Sequence, residues 1–381
     1  MLLCAYQPFA SEEHISDTYR RYGAIKQALM QYFPPLSGHR ERHFNTLAAL
    51  ICGLVGARCA HLSAIADHAP SHAANQESLI KRFRRWLAND FNSTDTWFLP
   101  VAQALLRNLS HQPLLLAIDG SVIGRGCMVL MVNVIWNKRA LPLCWLVVKG
   151  KKGHLPQTLH CALLRELEGL VPADAEVVVL GDAEFDGTDV QALITSFGWS
   201  YVLRTTPTLC MTVDGYETYV DVLKPARGEW VGVRGARLTR AEYGPVQVMA
   251  IWEEAYERGL YLVTTMEDMK EALALYRKRA QIETFFSDQK SRGFEMERSH
   301  VSNPQRLSGL LLASCLAYLW VVYLGVCAKG TQWQQRLHRQ DRCDLSLFRL
   351  GLRLLARCLK DSIPIPDGFL VTSPSPICSV R

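Results

Sequence analysis

The chain has 381 residues, 49% hydrophobic and 20% charged, which is ordinary for a soluble globular protein of roughly two or three domains. A net charge of +6 with a pI near 8.7 is compatible with a polyanionic partner without demanding one. Twelve cysteines without a C-x2-C pair, several of them in apolar runs (Cys52, Cys144, Cys315), argue against a disulfide framework or a zinc knuckle and fit buried thiols in a reducing cytosol. The opening MLLCAYQPFASEE lacks the basic start and long apolar core of a signal peptide.

Residues 1–112 read as helical. Asn45–Val55 is an apolar helix, His61–His68 a short one, Ala69-Pro70-Ser71 a break, and Asn75–Ala88 the next helix. That last stretch, NQESLIKRFRRWLA, opens on a capping-like Asn75 with Glu77 and carries Lys81, Arg82, Arg84 and Arg85. Helix, short helix, turn and basic helix is a helix-turn-helix-like order in which Arg82 and Arg85 would face a DNA groove. The plainer reading is an amphipathic surface helix with Leu79, Phe83, Trp86 and Leu87 packed inward. Asn89–Thr96 is a polar joint before a helix at Trp97–Leu109.

From Pro113 the pattern changes. Leu114–Ile118, Met128–Ile135 and Leu141–Val148 predict a strand meander with its second turn at Trp136–Ala140. Leu155–Leu170 reads as a helix, Val177–Leu180 as a fourth strand, Thr188–Phe197 as a helix and Tyr201–Arg204 as a fifth strand. The first and fourth strands end in Asp119 and Asp182, at a sheet edge where catalytic groups gather in open α/β folds; a turn-capping role is the alternative for either aspartate alone. Residues 206–265, rich in Val, Tyr, Thr and Gly with short alternating runs, read as an inserted β-subdomain.

The stretch ALALYRKRAQIETFFSDQKSRGF predicts one helix. At about 100° per residue, Tyr276, Arg279, Glu283 and Lys290 fall within an arc of roughly 60°, beside an apolar arc of Leu275, Ile282 and Phe286. An exposed, salt-bridged helix is the bland alternative. Leu307–Ala328 has no charged residue and is long enough to span a bilayer, but as the lone such run it reads better as a core helix. The tail from 329 places arginines at helical spacing, and the final IPIPDGFLVTSPSPICSVR is rich in Pro and Ser.

The spacing Tyr276-x2-Arg279-x3-Glu283-x6-Lys290, with Asp119 and Asp182 upstream, resembles the signature of a large branch of bacterial insertion-sequence transposases of the DDE class. The resemblance runs from about Pro113 to Ala328. It implies a ribonuclease-H-like mixed α/β sheet over 113–205 and 266–328, with the β-rich insertion at 206–265. A helical DNA-binding domain would precede it at 1–112, and a basic helical region with a loose tail would follow at 329–381.

It also implies that Asp119, Asp182 and Glu283 are catalytic and hold Mg²⁺, with Mn²⁺ substituting, Asp119 bridging two ions. Three carboxylates without a His or Cys cluster suit hard cations. By the same resemblance Tyr276, Arg279 and Lys290 would contact DNA phosphates, and Tyr261 stands where a relative stacks a flipped base on Trp. For Trp230 and Trp252, core packing is the better reading. Lys151 and Lys152, with His154, form a basic loop that would grip phosphate or be an ordinary solvated turn.

The expected partner is double-stranded DNA, bound by a homodimer, with no membrane and a cytoplasmic, bacterial location. The rivals are a ribonuclease-H-like nuclease without strand transfer and an inactive helix-turn-helix DNA-binding protein.

Overall fold

The structure, a computed structural model, describes residues 16–71, 75–150, 155–339 and 343–372. Helices come first: α1 (Asp17–Met30), α2 (Gly38–Ala57), α3 (Leu62–Asp67), α4 (Gln76–Leu87), α5 (Thr94–Trp97) and α6 (Leu99–Leu109). Helix α4 starts at its cap: the Asn75 side chain accepts the Glu77 N–H at 2.8 Å, satisfying a donor that the first turn leaves unpaired. Leu79, Ile80, Phe83, Trp86 and Leu87 are buried, and Lys81, Arg82, Arg84 and Arg85 are exposed.

The antiparallel meander is β1 (Leu114–Val122), β2 (Cys127–Trp136) and β3 (Arg139–Lys149). Its second turn is tighter than the sequence suggests. Only Asn137 and Lys138 make it, both at positive φ (45° and 62°), the twist that suits a two-residue hairpin. Then come α7 (Gln157–Glu168), β4 (Val177–Gly181), α8 (Thr188–Ser196) and β5 (Ser200–Thr205). Strand β1 pairs in parallel with β4, and β4 with β5, so the order β3-β2-β1-β4-β5 is a ribonuclease-H-like mixed sheet. The central strands are buried on both faces, which explains why they read as continuous apolar runs.

The strands of the insertion are β6 (Cys210–Val213), β7 (Tyr216–Tyr219), β8 (Trp230–Leu238), β9 (Tyr243–Ile251) and β10 (Leu260–Thr264). They extend the same sheet: β10 pairs antiparallel with β5, and β9, β8, β6 and β7 follow outward, giving a sheet of ten strands among the described residues. Trp230 is 41% exposed, so the expectation that it packs in the core is corrected.

The predicted single helix is broken. Helix α9 (Met269–Tyr276) gives way to a 3₁₀ turn at Arg277–Ala280, α10 runs Gln281–Gln289, and Lys290 leaves helical geometry at ψ −132°. A 3₁₀ turn winds more tightly than an α-helix, so the four signature residues do not share one helical face.

Helix α11 (Pro304–Ala328) has the length and composition of a membrane span, yet 83% of its most apolar window is buried inside the protein. It lies under α2, α4, α5 and β3, and against α13 (Leu347–Lys360), which follows the short α12 (Gln332–Leu337). The amino-terminal helices therefore share one continuous hydrophobic core with the sheet and the carboxyl-terminal helix. Where α11 and α13 cross, their backbones touch. A Cβ on Gly351 would lie 1.9 Å from the Val321 carbonyl oxygen, and one on Gly325 would lie 2.0 Å from that of Leu347.

Candidate active site

The parallel register sets Ala117 opposite Leu180, so Asp119 and Asp182 follow at the same end of adjacent strands. Asp119 is not the last residue of its strand, as the sequence suggests. Strand β2 goes on pairing as far as Val122–Met128, and β1 continues beside it after its parallel neighbour has ended. Asp182 lies just past β4, where its Oδ1 accepts the Glu184 N–H at 3.0 Å and its carbonyl accepts the Phe185 N–H at 3.1 Å.

Arg279 ties the helical side to this edge. Its Nη1 is 3.4 Å from Asp119 Oδ2 and its Nη2 is 3.4 Å from Glu283 Oε1. Burial pushes the Asp119 carboxyl up to about 6; Arg279 opposes this, and the charges of Asp182 and Glu283 add to it. The ion pair thus loses to desolvation at Asp119. For Arg279 the balance is reversed: burial disfavours its charge, but Tyr276 and the three carboxylates together hold its pKa above the ordinary value.

Tyr276 is 8% exposed, and burial raises its phenol while Arg279 and Arg204 pull it down. Lys290 Nζ donates to Ser121 Oγ at 2.7 Å, bringing the last signature residue back to β1. The structure therefore gathers Asp119, Asp182, Glu283, Tyr276, Arg279 and Lys290 around one sheet end. Tyr261 is not among them. Leu260 and Leu262 pack in the cluster that holds Tyr276, whereas Tyr261 packs in the other cluster, across the sheet. Arg82 and Arg85 sit on the exposed side of α4, and Lys151 and Lys152 lie outside the described residues.

Three contributors escaped the sequence reading. Arg204, on β5, lines a cleft of about 880 Å³ with Tyr256, Arg258, Tyr276, Arg277 and Arg279; an arginine closing an apolar strand was its only signal. Ser121 had none. Glu184, two residues after Asp182, accepts the Leu155 N–H through Oε1 at 2.8 Å and faces His160 Nε2 at 3.5 Å, tying the start of α7 to the turn that holds Asp182.

Residues 111–320 match the family described as the transposase DDE domain, more than half of the chain. The chain belongs to that family. No curated protein matches the transposase in sequence. Among solved structures it is similar to the piggyBac transposase synaptic complex with hairpin DNA, at 12% identity and a TM-score of 0.45, over 94% of this chain and 83% of that one. It is also similar to human ENDOV, at 15% identity and a TM-score of 0.24, over 58% and 94%.

The acidic set of the transposase suits a hard divalent cation in kind, being oxygen-only. In spacing it is not a finished cage: among the described residues no three His, Cys, Asp or Glu side chains are grouped closely enough to hold a metal. The guanidinium of Arg279 stands between Asp119 and Glu283 instead, as a built-in counter-ion.

Proposed function

We propose that this transposase binds the terminal inverted repeats of an insertion sequence, cleaves at its ends and joins the 3′-hydroxyls to target DNA. Support comes foremost from Arg279, a monovalent cation lodged between Asp119 and Glu283 where the three carboxylates would hold Mg²⁺, or Mn²⁺ in its place. Such ions would activate an attacking oxygen and stabilise a leaving one at a phosphodiester.

The chain's own residues have separate tasks. Asp119 and Asp182 come from paired strands and so keep a fixed separation, while Glu283 closes from α10. Arg279, released from the carboxylates, would turn its planar fork to a phosphate beside Tyr276, and Lys290 would do so as a point charge next to Ser121. Two identical transposon ends call for a homodimer on DNA, and a reducing bacterial cytoplasm fits the free cysteines of the described residues.

The test is incubation of the purified chain with duplexes ending in the inverted repeats that flank its gene. Mg²⁺-dependent nicks with joined products support the reading. Nicks without joining would favour a plain nuclease, and binding without nicks an inactive DNA-binding protein.

Arg279→Lys should slow single-turnover cleavage by about tenfold to a hundredfold although the charge is kept, because the fork is lost. An Arg279→Ala chain that melts early yet cleaves normally once folded would make the residue a structural pair only.

Arg82→Ala with Arg85→Ala should weaken end binding and flatten its dependence on salt, by a slope of about one per lost phosphate contact. An unchanged salt slope would remove α4 from the DNA interface. The full chain is the proper material, because the amino-terminal helices share their core with α11.

A further inference from the structure

Helix α10 is nine residues long, starts from a 3₁₀ turn without a side-chain cap and ends where Lys290 turns out. Its catalytic member has little to hold it: the Glu283 side chain is 64% exposed and meets Arg279 at 3.4 Å. The aim of Glu283 must therefore come from the helix as a rigid unit. Ile282, Phe285 and Phe286 bury one side of α10, but the hydrophobic effect is non-directional and specifies register less sharply than a buried polar link.

Two adjacent polar residues at the far end of α10 are also buried. Asp288 Oδ2 accepts from Arg139 Nη1 at 2.7 Å, with the two side chains only 6% and 8% exposed; Arg139 is the first residue of β3. Gln289 Oε1 accepts from the Ser314 hydroxyl of α11. Successive helical residues point about 100° apart. One link therefore runs to the sheet and the other to the core helix, and together they fix both the rotation and the axial position of α10. The carbonyl of Asp288 is also engaged, taking the Phe294 N–H at 3.0 Å where Gly293 leaves no room for a Cβ.

A buried ion pair adds little net stability over apolar residues of similar size, so stability does not explain this one. We infer that Arg139 and Asp288 are positioning residues, whose link through α10 holds Glu283 in register with Asp119 and Asp182. This rests on the proposed role of the three carboxylates.

The deciding experiment replaces the link with an apolar contact, in the double variant R139M/D288L, and reads folding and site assembly separately. The variant should melt at or above the wild-type temperature and bind transposon ends with unchanged Kd. It should bind Mn²⁺ more weakly in the absence of DNA, followed by electron paramagnetic resonance, and cleave about a hundredfold more slowly in single turnover. Normal melting with wild-type Mn²⁺ affinity and cleavage would overturn the inference.

Should the apolar pair not fold, D288N against D288A decides. Asparagine keeps an acceptor for Arg139 and should leave cleavage near the wild-type rate, whereas alanine should not; equal rates overturn the positioning role. If the wild-type chain itself never cleaves, the proposed function fails and the Mn²⁺ titration alone judges the link.

Discussion

Asp119→Asn is expected to lower cleavage by about a thousandfold or more, since on the proposed reading it removes a metal ligand whose charge the transition state needs, while making the metal-free protein more stable. The second half follows from burial. The Asp119 carboxyl moves from 3.8 to about 6 in the folded protein, so between those pH values the folded state binds more protons than the unfolded one. Stability contributed by this group is therefore lost as pH rises from about 4 to about 6, by at most about 3 kcal/mol, and the loss is complete above that window. Asparagine never ionises and escapes it.

Thermal melts in chelator should superimpose for the two proteins at pH 4 and separate above pH 6, with the variant melting higher. A wild-type protein that melts higher at neutral pH would mean that the Arg279 pair outweighs desolvation. Asp182→Ala and Glu283→Ala should also abolish cleavage while leaving end binding intact.

Gly351→Ala should unfold the protein far more readily than wild type, against the ordinary trend. In an open helix, Gly to Ala gains about 0.5–1 kcal/mol. At Gly351 the new methyl would meet the Val321 carbonyl oxygen at 1.9 Å and the Gly325 amide nitrogen at 2.8 Å, both backbone atoms of a buried helix. Helices α11 and α13 must separate to admit it, and α11 is the helix on which α2, α4, α5 and β3 all pack. A loss of about 3 kcal/mol or more is expected. Gly23→Ala in α1, with nothing within 4 Å of the added carbon, is the control and should stabilise slightly. Urea midpoints for the pair measure both; equal and opposite small shifts would mean that the α11–α13 crossing yields.

The central strands were legible because burial on both faces leaves nothing but apolar residues, as in Val177–Leu180, and the α4 boundary because a cap is a local event at Asn75. The residues that meet at this sheet end were legible through their spacing. The shape of their helix was not. The break at Arg277–Ala280 is accompanied by distant contacts, Arg277 with Glu253 at 2.5 Å and Arg279 with Asp119, and four residues of 3₁₀ turn leave no mark on an apolar period. The extension of β1 past Asp119 likewise depends on β2, and the Arg139–Asp288 link joins residues far apart in the chain. The face on which Tyr261 packs could not be read from position alone. Strand alternation decides which face a side chain serves, and that is fixed only once β10 has chosen its neighbours.

The pairing of β5 with β10 has a consequence for how such a chain can change. Thr205 and Tyr261 occupy the same rung, so the polypeptide departs and returns across a single pair of neighbouring strands. What lies between them is a side branch that meets the signature helix near its base, through Glu253 with Arg277 and through the cleft lined by Tyr256 and Arg258. Because closing a longer loop costs only about 0.6 kcal/mol per doubling, the branch is free to gain or lose whole hairpins at its outer edge, beyond β9. The carboxylates on β1 and beyond β4 lie on the far side of that rung and would keep their spacing throughout. The fold thus separates a fixed chemical half from an outer half open to revision.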